Sequence, residues 1–123
     1  MKKSTFTQKH TVEAQETAAA VGSGTLEVFS TPSLGALMEN TAVKAVESEL
    51  REGETTVGAE ILIEHLRASK VGETLTAQAE VLAHEGSSIF LGIEVKNENN
   101  DLIARARPTR VVVDPARFMQ RLG

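Results

Sequence analysis

The spacing of apolar residues along this chain changes from helical to strand-like after Gly53. Before it, the segment from Thr31 to Arg51 carries apolar residues three and four positions apart, as on one face of a helix. Thr31 suits the N-cap, Pro32 the first helical position and Gly53 the C-terminal stop. The pattern predicts one helix over 31–51.

After the helix, apolar and polar residues alternate with the period of half-buried strands. Three regular runs are separated by turn residues: Val57 to His65, Leu75 to Ala83, and Ile89 to Val95. A last run from Leu102 to Val113 reverses its parity near Pro108, which predicts a bulge or edge irregularity there. Residues 4–14 suggest a first strand, and residues 16–21 a short helical turn.

The order of these elements predicts an α+β fold, in which an antiparallel five-stranded sheet wraps around one long central helix. Gly35, Ala42 and Ala45 are small enough for the helix to approach a curved sheet closely. The free edges of such a sheet favour a homodimer that pairs edge strands. With 123 residues, the chain is expected to form a single domain, 1–123.

Composition narrows the function classes. Aromatic residues make up 3% of the chain, so the core must be aliphatic, and the net charge of −4 argues against nucleic acid as a partner. The absence of cysteine excludes disulfides and thiol catalysis. No apolar run follows the basic start or approaches the roughly 20 residues of a membrane span. We therefore expect a cytoplasmic protein that does not bind membranes.

Glu39 is the most unusual residue of the predicted helix. At about 100° per residue, it lies roughly 80–140° from the polar stripe, on the arc shared with Val46 and Leu50. A carboxylate that faces a core must be paired, protonated or used in chemistry. The alternative is a residue at the shoulder of the apolar face whose carboxylate reaches water.

Thr31 and His65 are the other two candidates for chemistry. Thr31 is a nucleophile, a residue that orients substrate or water, or a helix cap alone. His65, at the end of the second predicted strand, is either structural or catalytic. A carboxylate and an imidazole in an apolar groove form an acid–base pair, typically worth about 10²–10⁴ in rate. Since eight helical residues span about 12 Å, Thr31 must fold back or come from a partner chain to share a site with Glu39.

Several short segments carry a resemblance to a known family. They are Val21-Gly22-Ser23-Gly24, Val28-Phe29-Ser30-Thr31-Pro32, Leu37-Met38-Glu39, Glu64-His65 and Val71-Gly72-Glu73-Thr74-Leu75. Over about residues 10–114 the chain resembles the hotdog thioesterases related to fluoroacetyl-CoA thioesterase. The resemblance implies a catalytic triad of Thr31, Glu39 and His65, with the backbone of Gly58 close to the acyl group. It also implies a homodimer that binds acyl-CoA at its interface.

Two segments depart from the family pattern. The family's aromatic gate ahead of the threonine is replaced by Gly22 and Thr25, so the resemblance does not extend to selection of a fluorinated acyl group. The last strand reads Ala106 to Arg110 where the family has a glycine and a histidine. Arg110, one of five arginines near the C-terminus, is expected to bind the phosphates of the substrate. The alternative is a solvated strand face.

These residues predict an acyl-CoA thioesterase that hydrolyses a short or medium acyl thioester. No cofactor is implied, and no spacing of histidine and acid suggests a metal. The first alternative is a non-catalytic module that binds or senses acyl-CoA. A hotdog hydratase is disfavoured because the Asp-x-x-x-x-His spacing is missing.

Overall fold

The computed structural model describes residues 4–123 and confirms the predicted α+β architecture. The strands are β1 (Thr5–Thr11), β2 (Thr55–His65), β3 (Thr74–Glu85), β4 (Ser88–Lys96) and β5 (Leu102–Val113); the helices are α1 (Ala18–Val21), α2 (Thr31–Val46) and α3 (Pro115–Arg121). The first three residues of the predicted domain 1–123 lie outside this description. In the part of the chain described, no helix is long and apolar enough to cross a membrane.

The five strands form one antiparallel sheet in the order β1-β3-β4-β5-β2. The strands β3, β4 and β5 follow one another as a meander, whereas β1 and β2 form the two edges. One side of β2 therefore carries backbone groups that no strand of residues 4–123 pairs with. This free edge is the feature that matters for the site.

Helix α2 packs across the inner face of the sheet through its buried residues Leu34, Gly35, Leu37, Met38, Thr41, Ala42, Ala45 and Val46. The opposing sheet residues are mainly small or aliphatic, as the low aromatic content requires. A Cβ atom on Gly35 would lie 3.1 Å from Ile63 Cδ1. The glycine thus lets the helix approach β2 closely.

The long helix begins at Thr31, as the predicted range 31–51 has it, but its predicted N-cap and its predicted end are wrong. Ser30, not Thr31, is the N-cap: its hydroxyl accepts a hydrogen bond of 3.1 Å from Ser33 N–H, and Thr31 is the first helical residue. The helix ends at Val46, because the next residues form a tighter 3₁₀ turn, Glu47–Glu49, that leads the chain toward β2. The displaced cap leaves the Thr31 hydroxyl free for another partner.

The predicted irregularity at Pro108 is also misplaced. Pro108 pairs with Ile61 without a change in register, and the missing proline N–H only interrupts the ladder between β5 and β4. The register shift lies in the neighbouring strand, where Ala59 is an extra residue between Gly58 and Glu60. The bulge therefore belongs to β2.

This bulge decides which β2 residues face the helix. Gly58 lies opposite Arg110 and Ile61 opposite Pro108. Arg110 and Pro108 are two residues apart on one strand, so they share a face. Gly58 therefore points to the same side as Ile61, although the two residues are three positions apart.

Candidate active site

Thr31 and His65, two of the predicted catalytic residues, lie in direct contact. A hydrogen bond of 2.9 Å joins Thr31 Oγ1 to His65 Nδ1. The first turn of α2 presents the hydroxyl, and the last residue of β2 presents the ring. We call these two residues the hydroxyl–imidazole pair.

The surroundings of His65 favour a neutral ring. Partial burial lowers the pKa of His65 below its usual value of 6.5, against a smaller opposing effect of the Arg67 backbone. When Nδ1 accepts the proton of Thr31, the other nitrogen, Nε2, carries the ring N–H. This Nε2 is buried and has no hydrogen-bond partner within residues 4–123. The pair therefore lacks an acceptor on its far side.

The segment that leads to the hydroxyl–imidazole pair is held from both sides. Phe29 N–H donates to Ser69 C=O at 2.8 Å, and Ser30 N–H donates to Glu16 C=O at 2.9 Å. The ring of His10 stacks on Phe29, and its Nε2 lies 2.8 Å from the Glu16 carboxylate. Glu16 reaches His10 because a 3₁₀ turn, Ala14–Glu16, returns it to β1.

Glu39, the third predicted catalytic residue, belongs to a different group. Its Oε2 accepts a hydrogen bond of 3.3 Å from Arg110 Nη1. Arg110 is only 8% exposed, and its remaining donors bind Thr56, with Nε 2.8 Å from Oγ1 and Nη2 3.2 Å from the carbonyl oxygen. The Glu39 side chain stays 45% exposed. The arginine thus fixes one edge of a carboxylate that remains accessible.

Gly58 completes this group, which we call the carboxylate cluster (Glu39, Thr56, Gly58 and Arg110). A Cβ atom at this position would lie 2.6 Å from Glu39 Oε2 and 3.3 Å from Arg110 Nη1. The first distance is shorter than van der Waals contact allows, so any larger residue must displace the carboxylate. Glycine is required here for close approach rather than for an unusual backbone angle.

A single chain keeps the carboxylate cluster apart from the hydroxyl–imidazole pair. Eight helical residues separate Thr31 from Glu39, about 12 Å along the axis, and seven strand residues separate Gly58 from His65, roughly 20 Å. In residues 4–123, no hydrogen bond links Glu39 to Thr31 or His65. The predicted triad is therefore divided into two half-sites at opposite ends of β2.

A cavity of about 310 Å³ adjoins the hydroxyl–imidazole pair. Its lining residues are Ala18, Ser23, Val28, Phe29, Ser30, Thr31, His65, Leu66, Arg67 and Ala68. The cavity extends from the reactive groups toward α1 and the loop after β2. It offers space for a small ligand beside Thr31.

Sequence reasoning overlooked Thr56 and did not foresee the protein partners of Arg110. The sequence predicts that Arg110 binds substrate phosphates, which stays a prediction, and the structure adds its hydrogen bonds to Glu39 and Thr56. The bulge at Ala59 is the reason, because it turns Thr56 and Gly58 toward Arg110. No local sequence pattern marks such an inserted residue in advance.

Three comparisons place the chain among proteins of known fold. The model of the fluoroacetyl-CoA-specific thioesterase family, FlK, matches residues 12–116. The fluoroacetyl-CoA thioesterase of Streptantibioticus cattleyicolor is 30% identical over 92 residues, which cover 75% of this chain and 66% of that relative, just under two thirds of its length.

Solved structures agree with the family match. The crystal structure of the fluoroacetyl-CoA thioesterase FlK has a TM-score of 0.89 and 26% identity, covering 99% of this chain and 95% of that one. Its F36A mutant in complex with fluoroacetate and CoA has a TM-score of 0.85 and 26% identity, covering 96% and 99%. A hypothetical protein of the thioesterase superfamily from Thermus thermophilus shares the fold, with a TM-score of 0.89 and 24% identity over 99% and 92%.

Proposed function

Because the chain belongs to the fluoroacetyl-CoA-specific thioesterase family, a family of thioester hydrolases, we propose that it hydrolyses the thioester of a short or medium acyl-CoA. The observation that carries this proposal is the bond between Thr31 and the neutral, partly buried His65. A hydroxyl bound to an imidazole that can accept its proton is the arrangement that acyl transfer requires. We further propose that the enzyme acts in the cytoplasm, where CoA thioesters are available.

The working form we propose is a homodimer that joins the two half-sites. If the free edges of β2 from two copies pair antiparallel about a two-fold axis near Ile61, residues before the axis in one copy lie against residues after it in the other. Gly58 and Glu39 of a second copy then approach His65. The exposure of the Glu39 side chain, 45%, supports this arrangement, because its carboxylate is accessible to a second copy.

In the proposed chemistry, His65 Nδ1 takes a proton from the Thr31 hydroxyl, or from a water molecule that this hydroxyl holds. The freed oxygen attacks the thioester carbonyl, the carbon–sulfur bond breaks, and the proton passes to the departing thiolate. If the oxygen is that of Thr31, a water molecule deprotonated by His65 then cleaves the acyl–threonine ester, which releases the carboxylic acid and restores the hydroxyl. The negative charge of Glu39 from the second copy, close to the ring, stabilises the imidazolium that forms. The backbone N–H of Thr31 is suited to the oxyanion, because Pro32 has no N–H and the N–H groups of Ser33 and Leu34 already bind Ser30.

Arg110 is proposed as a positioning residue, since its contacts reach the reaction only through Glu39. The hydrogen bonds to Thr56 orient its guanidinium, and the Nη1 donor fixes the position of the Glu39 carboxylate. A direct contact between Arg110 and substrate phosphates remains a prediction from sequence. The burial of the side chain favours the positioning role.

The direct test replaces the carboxylate by an amide of the same shape. Glu39→Gln is expected to lower kcat for acyl-CoA hydrolysis by at least about 10²-fold without dissociating the dimer. Glu47→Gln, an exposed acid just beyond the same helix, is the matched control and retains activity. Full activity in Glu39→Gln would remove Glu39 from the mechanism.

A mixing experiment tests whether the site is shared between copies. Glu39→Gln and His65→Gln are each expected to be inactive as pure dimers. After unfolding and refolding together, half of the dimers are mixed and contain one intact site, so about a quarter of wild-type activity returns. If the mixture stays inactive although mixed dimers form, the two half-sites do not combine across β2.

A further inference from the structure

The position of Thr31 depends on the two residues that precede it. Residues 22–27 are exposed and belong to no helix or strand, so they cannot fix the start of α2. Phe29 and Ser30, in contrast, are each 1% exposed. An antiparallel backbone bridge with the turn before α1 holds Phe29, and beside it Ser30 N–H donates to Glu16 C=O at 2.9 Å. Glu16 therefore holds the N-cap residue next to Thr31.

The carboxylate of Glu16 fixes this residue to β1. It accepts a hydrogen bond from His10 Nε2, which lies 2.8 Å from Oε1 and 2.9 Å from Oε2. Oε1 also accepts the backbone N–H of Glu13 at 2.9 Å, across the 3₁₀ turn Ala14–Glu16. Because an ionised carboxylate has no proton to donate, Nε2 carries the ring N–H of His10. The side chain of Glu16 thus binds β1, while its backbone carbonyl binds Ser30.

His10 also contacts Phe29 directly. The two rings stack with a centroid distance of 5.8 Å and an interplanar angle of 29°. The side chains of His10 and Glu16 are 28% and 21% exposed, so both are partly shielded from water. Neither residue lines the cavity beside Thr31. The His10–Glu16 pair can therefore determine where Thr31 lies without touching a ligand in that cavity.

A second pair of the same chemistry lies elsewhere in the fold. His84 Nδ1 is 2.9 Å from Glu49 Oε1, and these side chains are 29% and 26% exposed. This pair joins β3 to the 3₁₀ turn after α2. Within residues 4–123, no hydrogen bond connects it to Thr31 or His65. The two pairs are alike in geometry and exposure and differ in which segment they hold, so the second is a matched control for the first.

We propose that His10 and Glu16 are positioning residues for the Thr31 hydroxyl. Their hydrogen bond fixes Ser30 and, through it, the 2.9 Å contact between Thr31 Oγ1 and His65 Nδ1. The inference rests on the proposed thioesterase function and names two residues that orient its reactive hydroxyl. Since a misplacement of about 1 Å can lower a rate by about 10²-fold, loosening Ser30 lowers kcat. KM changes little, because the pair does not line the cavity.

The test breaks the pair from each side, with His10→Phe, which keeps a ring against Phe29, and with Glu16→Ala. The matched controls are His84→Phe and Glu49→Ala. Each substitution in the His10–Glu16 pair is expected to lower kcat for acyl-CoA hydrolysis about tenfold, with KM within about twofold of wild type. The double variant should lose no more than either single variant, because the two residues act as one unit. The controls should keep wild-type kcat even where thermal unfolding shows an equal loss of stability.

A second measurement does not depend on turnover. The nitrogen NMR resonance of His65 Nδ1 reports the hydrogen bond from Thr31, and Thr31→Val supplies the reference for its loss. His10→Phe and Glu16→Ala should move this resonance toward the reference. His84→Phe should leave it at the wild-type position.

The outcomes separate this inference from the proposed function. Wild-type kcat in His10→Phe and Glu16→Ala, an unchanged His65 resonance, or an equal loss of kcat in the controls would overturn the inference alone. Absence of hydrolysis by the wild type with every acyl-CoA would remove the proposed function. The His65 resonance would then still decide whether the pair positions Thr31.

Discussion

Gly58 and Glu39 fit together because the glycine has no side chain. A Cβ atom at position 58 would lie 2.6 Å from Glu39 Oε2, closer than the two atoms can approach. The carboxylate therefore occupies the space that a side chain of β2 would otherwise fill. A single methyl group is a sensitive probe of this contact.

We predict that Gly58→Ala lowers kcat at least about tenfold, because the displaced carboxylate no longer reaches its position in the site. The matched control is Gly92→Ala, a strand glycine whose added Cβ would meet Leu82 Cδ1 at an ordinary 3.4 Å. Steady-state kinetics of both variants, with circular dichroism to confirm folding, provides the measurement. Wild-type kcat in Gly58→Ala would mean that the position of Glu39 is not critical.

Arg110→Gln is expected to lower both stability and turnover. The variant loses the ionic bond to Glu39 and the paired hydrogen bonds to Thr56. Because Glu39 is half-exposed and can be solvated, we expect the free energy of unfolding to fall by about 1–3 kcal/mol rather than more. Urea unfolding measures this change. Arg110→Lys should not restore turnover, since an ammonium group cannot reproduce the planar fork.

Ser30 and Thr31 are adjacent but are predicted to have separable roles. Ser30→Ala removes the N-cap of α2 and should lower the free energy of unfolding by about 1 kcal/mol. Thr31→Val keeps the shape of the side chain but removes the hydroxyl, so kcat should fall by about 10²–10⁴ while stability changes little. Thermal unfolding and kinetics on both variants test the division. A larger stability loss in Thr31→Val than in Ser30→Ala would contradict it.

We predict that activity falls on the acidic side of the pH–rate profile with a midpoint below pH 6.5. Burial lowers the pKa of His65, so the ring stays neutral and able to accept a proton to lower pH than an exposed histidine. The limb should disappear in the residual activity of His65→Gln and persist in His84→Gln, whose ring pairs with Glu49 far from the site. A limb centred at or above 6.5 would contradict the prediction.

The lowered pKa of His65 also makes the stability of the fold depend on pH. The unfolded chain binds a proton at position 65 more readily than the folded chain, so the free energy of unfolding rises with pH in this range. The contribution of His65 to the free energy of unfolding is fully present above pH about 6.5. It is lost as the pH falls through the lower pKa that this residue has in the folded chain. Urea titrations of the wild type and His65→Gln should converge as the pH is lowered.

Hydrophobic patterning was sufficient to predict the fold. The change from helical to alternating spacing located α2 and the four later strands, because each element buries one face against a common core. Boundaries were less accurate for a physical reason. Ser30 and Thr31 are both good caps, and only tertiary contact with His65 decides which hydroxyl closes the helix.

The site was only partly accessible from sequence. The contact of Thr31 with His65 agrees with the triad that the resemblance implied, but the predicted pairing of Glu39 with His65 is not made within one chain. The environment of Glu39 depends on Arg110 and Thr56, which come from strands far apart in the chain. Their meeting requires the extra residue in β2, and strand propensity does not specify where such a residue falls. The sharing of the site between two copies remains a prediction.

The bulge at Ala59 constrains the number of residues in β2 during evolution, and not only their identities. Because strand side chains alternate between faces, deleting this one residue would turn either Gly58 or the stretch from Ile61 to His65 outward. Mutations in β2 can replace side chains more easily than they can insert or delete residues. Insertions and deletions between these positions should therefore be rare among descendants that keep the activity.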